Sequence, residues 1–275
     1  MILSLKTTMM NSLYPDKSIM KTIKYIPSQT RHYLACPYFL KLSNSVKIPI
    51  DEPHIIGIRR TQLFKDHVIA RLGQNLGKEP FRTQKLLDLI LNRGLMLIAK
   101  KIETVFFSTS DIGLEIEMFK PDIIETTMRE NIGVNIKSIK NIEQPEEHHY
   151  LQSIVYKLAL EKALEGATLK PFKVTASLLH WNTEHYPVSR NDNDTDIEGF
   201  SSHLSNVSSQ AFFSEEKIDE EQGNYTDMLR DIASLEPQDD EEKCEHCHGK
   251  FCCDVHNQIP FRDKYKWFSR FQPYE

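Results

Sequence analysis

One stretch constrains the fold more than any other. From Ile132 the chain reads IGVNIKSIK, then EEHHYLQSIVYKLALEKALE, then FKVTASLLHWN, a β-rich run, a helical run and a second β-rich run. The helical run, residues 146–165, follows Pro145 and stops at Gly166, the residue types that favour a start and a stop. In IGVNIKS the two-residue period of a strand sets Val134 and Ile136 on one face and Asn135 and Lys137 on the other. Two further β-rich runs, KIETVFFST and GLEIEMFKPDIIE, precede this unit, with Pro121 and Asp122 read as the end of the second. Before them, apolar residues recur every three or four positions over residues 56–72 and 81–100, which predicts two helices, the second interrupted by Gly94. Helix, three strands, helix, strand is the order of an α/β fold with one mixed sheet flanked by helices.

The chain has 275 residues, 40% of them hydrophobic, enough for one sizeable core without disulfide staples. It holds no run of eighteen apolar residues, and Lys6, Lys17, Lys21 and Lys24 break up its start, so neither a membrane span nor a secretory signal is expected. This points to an intracellular protein, of cytoplasm or nucleus. A mitochondrial transit peptide is the alternative, although no arginine precedes Arg31. The net charge of -5 averages unlike parts: residues 1–100 sum to +10, 101–245 to -17 and 246–275 to +2. A polyanion therefore has a place to dock only locally, on the first part.

The composition divides the chain into an N-terminal extension (1–26), a core (27–188), an acidic insertion (189–242) and a C-terminal segment (243–275). The core opens with IPSQTRHYLACPYFL, read as a short helix and a loop. The insertion carries sixteen acidic residues against far fewer basic ones, Lys217 and Arg230 among them; it reads as mobile, with one short helix near residues 227–234. The C-terminal segment holds four of the five cysteines, followed by the basic and aromatic run DKYKWFSRFQPYE.

Three constellations carry chemistry. In CEHCHGKFCCD, Cys244 and Cys247 form a C-x2-C hook with Cys252 and Cys253 close behind, spacing suited to a metal centre. Zinc would use Cys244, Cys247, Cys253 and His248 or His256; an iron-sulfur cluster needs four thiolates and would enlist Cys36. Asp122 can ligate a hard cation through oxygen, and Lys137 can meet a phosphate or an attacking water if its strand face looks onto the same site. Gln152 and Tyr156 stand four apart on the long helix, on a face shared with His148 and His149, where an amide and a phenol can hold a nucleic-acid strand. His67 sits on the first of the earlier helices.

Together these pieces resemble the PD-(D/E)XK nucleases of the RecB-like type, in the branch that carries an iron-sulfur cluster. That branch includes the CRISPR-associated RecB-like exonucleases, exonuclease V and the AddB nuclease domain. The lone Cys36 within Cys36-Pro37-Tyr38-Phe39, and Cys244, Cys247 and Cys253 as C-x2-C-x5-C, match its layout. So do a helix histidine (His67), the PD aspartate (Asp122), the E-x-K lysine (Lys137) and Q-x-x-x-Y (Gln152, Tyr156), in that order. The likeness spans roughly residues 27–190 and 243–255. It implies a restriction-endonuclease-like core whose two ends are joined by a [4Fe-4S] cluster on Cys36, Cys244, Cys247 and Cys253. It also implies Mg or Mn held by His67, Asp122 and Asn135, and exonuclease action on DNA, mainly single-stranded ends, through Asp122, Lys137, Gln152 and Tyr156. Asn135 replaces the family's acid. An amide oxygen ligates without charge, so the resemblance equally implies weakened metal use, or a nuclease-like module that binds DNA or protein without cutting.

Overall fold

The computed structural model describes residues 23–45, 52–72, 83–93, 114–116, 121–128, 130–182, 197–206, 213–218 and 224–237, with Cys244, Cys247, Gly249 and Cys253. Its frame is a four-stranded mixed sheet in the order β3 (Ile123–Met128), β4 (Ile132–Ile139), β5 (Phe172–Trp181), β6 (Phe213–Lys217). β3 and β4 are antiparallel, β4 and β5 parallel, β5 and β6 antiparallel. The parallel pair follows from the strand–helix–strand stretch: parallel neighbours need a long crossover, and α5 (Glu147–Ala167) is that crossover. A separate two-stranded parallel sheet joins β1 (Ile23–Tyr25) to β2 (Leu114–Ile116).

The pleat sorts the sheet's side chains onto two helical layers. Ile124, Ile132, Val134, Ile136 and Val174 face α5, in a core completed by Tyr25 and Tyr33 and by residues of α4 (Thr83–Arg93) and α7 (Tyr225–Ala233). Ile123, Ile139, Leu179 and Trp181 face the other way, against Phe64 and Val68 of α3 (Glu52–Arg71) and Phe200 and Leu204 of α6 (Ile197–Asn206). The predicted parity of β4 is found: Val134 and Ile136 are buried, while Asn135 and Lys137 are partly exposed on the second face. Two short helices, α1 (Thr30–Ala35) and α2 (Tyr38–Ser43), meet at Cys36 and Pro37, because proline disfavours helical backbone in the residue before it. Cys36 is accordingly extended (φ -156°, ψ 108°).

Several elements differ from expectation. Pro121 and Asp122 lie just ahead of β3 rather than at the end of a strand, because Leu114–Ile116 leaves for the small sheet and the main-sheet strand begins only at Ile123. β1 falls within the segment read as an extension before the core. The acidic insertion contributes α6, the edge strand β6 and α7, and Leu229 and Ile232 of α7 are buried in the core shared with α5. KIETVFFST and the end of the helix read over 81–100 lie outside the described residues. Among the described residues no helix is long and apolar enough to cross a membrane.

In the second layer Phe64 packs against Trp181 at 4.6 Å between ring centroids, and Trp181 Nε1 donates to Asn141 Oδ1 at 2.9 Å. Trp181→Ala is expected to cost about 3–5 kcal/mol, read as a lowered urea midpoint. The indole's loss should release α3 from the sheet before α5.

Candidate functional site

Antiparallel pairing sets Ile123 opposite Lys137, so the same register carried one residue further brings Asp122 opposite Ser138, on the face that looks at α5. Ser138 confirms that orientation, because its hydroxyl accepts from Ser153 of α5 at 2.8 Å. Lys140 keeps the parity of Ser138: its backbone N–H donates to Leu179 O at 2.8 Å and extends the β4–β5 ladder past the last strand residue. Gln152 and Tyr156 lie one turn apart on α5, joined by a 3.3 Å bond from Gln152 Nε2 to the Tyr156 oxygen.

These residues enclose a cavity of about 150 Å³ lined by Ser28, Lys65, Asp122, Ser138, Lys140, Gln152 and Tyr156. Asp122 is fixed at both oxygens: Lys65 Nζ donates to Oδ1 at 2.6 Å and the Ile139 backbone N–H to Oδ2 at 2.7 Å. Lys140 Nζ donates to Gln152 Oε1. The carboxylate is thus aimed by β4 and α3, and the Lys140 ammonium by α5.

The cavity is electropositive. Burial, then the charge of Lys65, pull Lys140 down to about 7 against the opposing effect of Asp122. Burial lowers His148 as well, with Arg31 and Lys140 adding to the fall and Glu146 opposing it. His149 is pushed down to about 3 by burial and by Lys140, His148 and Arg31; its neutral ring accepts the Glu146 N–H at Nδ1 (3.0 Å) and helps start α5. Lys65 and Lys140 line this space against the single carboxylate of Asp122, a balance that favours an anion once Lys140 is protonated.

Asn135 and Lys137 stand elsewhere. Asp122, Gln152 and Tyr156 come together as the sequence implied, but Lys137 lies on the opposite face of the sheet, its Nζ 3.0 Å from both Glu125 Oε2 and Glu215 Oε2. Asn135 Nδ2 also reaches Glu215 Oε1 (3.4 Å), which accepts from Ser177 Oγ at 2.9 Å. The expectation that Lys137 shares a site with Asp122 is corrected by the pleat, since residues of one parity cannot serve both faces. Nor does His67 line the cavity. Its Nε2 accepts from Arg71 Nε at 3.3 Å, and burial together with Arg71 lowers its pKa, while Lys65, two residues earlier on α3, takes the place beside Asp122. Sequence reasoning missed Lys65 and Lys140. The signal was present in the strand period: Ser138 and Lys140 are to the α5 face what Asn135 and Lys137 are to the other.

The cysteines converge. Cys36, Cys244, Cys247 and Cys253 are all partly buried. Burial raises the Cys247 thiol, the Gly249 N–H opposes this, and the charges of Cys36, Cys253 and Cys244 each raise it further. All three are thus within electrostatic reach of one sulfur. The hook is a tight turn, Cys247 N–H to Cys244 O at 3.2 Å, followed by a Gly249 N–H donated to Cys247 Sγ at 3.3 Å. A Cβ on Gly249 would sit 3.1 Å from Leu42 and 3.3 Å from Phe39, so the hook lies directly on α2. Among the described residues no three or more His, Cys, Asp or Glu side chains surround a single-ion position. The four thiols are a convergence of charge rather than a closed coordination shell. Cys252, His248 and His256 lie outside the described residues.

Comparison of the chain with protein-family models, with curated proteins and with solved structures finds no match.

Lys137 works as a clamp between β3 and β6. Burial pulls its pKa down, but the hydrogen bonds and charges of Glu215 and Glu125 outweigh this and hold it above 10.5. Burial raises Glu215, yet Lys137, Ser177 and Asn135 prevail and hold it below 4.5. Stabilisation from Glu215 is thus present above pH 4.5 and lost as pH falls through its lower folded value; that from Lys137 is present below pH 10.5 and lost as pH rises beyond it. Lys137→Met should cost about 1 kcal/mol at neutral pH, since the partners are partly solvated. In urea melts the gap to the parent should close as the pH drops below 4.5.

Proposed function

We propose that the chain is a metal-dependent nuclease with a restriction-endonuclease-like core, acting on DNA and mainly on single-stranded ends. One observation carries the reading. Asp122, Gln152 and Tyr156, which the resemblance to RecB-like nucleases assigns to one site, line a single cavity walled by Lys65 and Lys140. The strand order supports it as well, an antiparallel pair followed by a helical crossover to a parallel strand.

In this site Asp122 is the carboxylate that would hold Mg or Mn, and the bound ion would supply an activated water and neutralise charge on the phosphate. Lys65 and the Ile139 N–H keep that carboxylate oriented. Cations around the cavity draw in the phosphodiester and stabilise charge that grows on its oxygens. Gln152 and Tyr156 position the strand, and α5 on one side limits the entry of water. The site is lean in acid: Asp122 is its one carboxylate among the described lining residues. That observation favours the second reading, a nuclease-like module that binds DNA and turns over slowly or not at all.

The cysteine set fits a resident [4Fe-4S] cluster. Cys36, Cys244 and Cys253 all lie within electrostatic reach of Cys247, where a bound cation would favour the thiolates, and an N–H donated to sulfur is the kind of contact that tunes such a centre. Bound there, the cluster would tie α1 to the C-terminal hook and close a very long loop. Thiols of this kind also suit a reducing compartment, such as cytoplasm or nucleus.

Anaerobically purified protein given Mg or Mn should shorten end-labelled single-stranded DNA, and Asp122→Ala should reduce turnover on the order of 100-fold or more. Binding without turnover in the parent would select the second reading; neither binding nor turnover would reject both. Iron and acid-labile sulfide should be present in the parent and fall sharply in Cys36→Ala. In Gly249→Val they should fall too, because the added side chain pushes the hook off Phe39 and Leu42.

A further inference from the structure

We propose that Lys140, rather than Lys137, is the lysine that contacts the scissile phosphate. The inference rests on the nuclease reading and assigns the phosphate-binding group within that site. It stands on three geometric facts. First, Lys140 lines the cavity with Asp122, and Lys137 does not. The pairing that sets Ile123 against Lys137 commits Lys137 to the face away from α5, and Lys140 stays on the α5 side through the ladder bond from its own N–H to Leu179 O.

Second, the two ammonium groups are held differently. Lys137 Nζ sits 3.0 Å from two carboxylates, one of which, Glu215, is further held by Ser177. A phosphate approaching it must displace or confront both acids, a like-charge encounter. Lys140 Nζ is held by a neutral amide, Gln152 Oε1. An ammonium has three protons, and one bond to Gln152 leaves donors for a phosphate oxygen. Third, the cavity of about 150 Å³ has room for a phosphate group, and Lys65 lines it beside Lys140.

The role is electrostatic. A water oxygen forms a bond to phosphorus as the ester P–O bond breaks; the water's proton passes to solvent and the leaving oxygen takes a proton from solvent. Lys140 donates a hydrogen bond to a non-bridging oxygen throughout and stabilises the charge gathered there. Ser138 then occupies the place opposite Asp122 where a second acid would sit, and its hydroxyl is already engaged by Ser153.

The test separates this assignment from the nuclease reading. Affinity for a fluorescein-labelled single-stranded DNA is followed by anisotropy against salt concentration at pH 6, without divalent metal, beside turnover with Mg or Mn. Each lost contact to a single-stranded phosphate reduces the slope of log affinity against log salt by about 0.7. Lys140→Met is expected to lose that increment and to lower turnover on the order of 100-fold. Lys137→Met should keep the slope. Lys140→Arg retains charge with a different donor geometry, so it should restore the slope while leaving turnover depressed; it also serves if the methionine variant folds poorly. A slope lost in Lys137→Met and kept in Lys140→Met overturns the assignment while leaving the nuclease reading intact, and so does a slope unchanged in both. A parent that neither binds nor cleaves removes the reading on which it rests.

Discussion

The pleat of β4 is the constraint on which the rest depends. Its neighbours β3 and β5 are locked to it in antiparallel and parallel register, and helices cover parts of both faces. A shift of one residue would carry Val134 and Ile136 out of the α5 core and drive Asn135 and Lys137 into it. Register is therefore strongly specified, and with it the side of the sheet on which every ionisable group must stand. Asp122, Ser138 and Lys140 belong to the α5 side for the same reason that Ile136 does. The two ionic systems, one around Asp122 and the other around Lys137, are separated by the sheet itself.

The acidic strand shows how the same parity organises charge at the edge. Glu215 turns to the second face and meets Lys137 and Ser177; Glu216 turns to the first and accepts from Tyr150 of α5 at 3.0 and 3.1 Å. One short strand thereby joins both layers. Its charges are placed by partners on β4, β5 and α5, and an exposed edge rich in Glu and Lys resists pairing with a further strand.

Much of this fold was legible in the sequence where period and punctuation agreed. The α5 crossover, expected over residues 146–165, is found at Glu147–Ala167, running through Gly166 to a cap at Thr168, and the alternation of β4 is found in its burial. β6 was not legible, because FSEEK has no apolar alternation; an edge strand answers to its neighbour's hydrogen bonds and to cross-strand ion pairs, neither of which is local. Leu114–Ile116 was read as continuous with Ile123, since nothing in the intervening residues announces that the chain changes sheets. At the site, the resemblance rather than spacing grouped Asp122 with Gln152 and Tyr156, and the three line one cavity. Choosing Lys137 required knowing which face Asp122 joins, and that is decided by the pairing of Ile123, not by any motif. Lys65 was invisible for a related reason: a helix residue reaches Asp122 only through the packing of α3 across the sheet edge.

Cys36 lies near the beginning of the described residues, and Cys247, within its electrostatic reach together with Cys244 and Cys253, lies near their end. A chain made from its N-terminus presents α1 and α2, the surface on which the hook rests, long before the hook exists. The side chains of Phe39 and Leu42 against which Gly249 packs are thus made well before their partner. Completion of this corner therefore waits on the synthesis of residues 244–253. Truncation of a nascent chain anywhere upstream would yield a sheet without its seal.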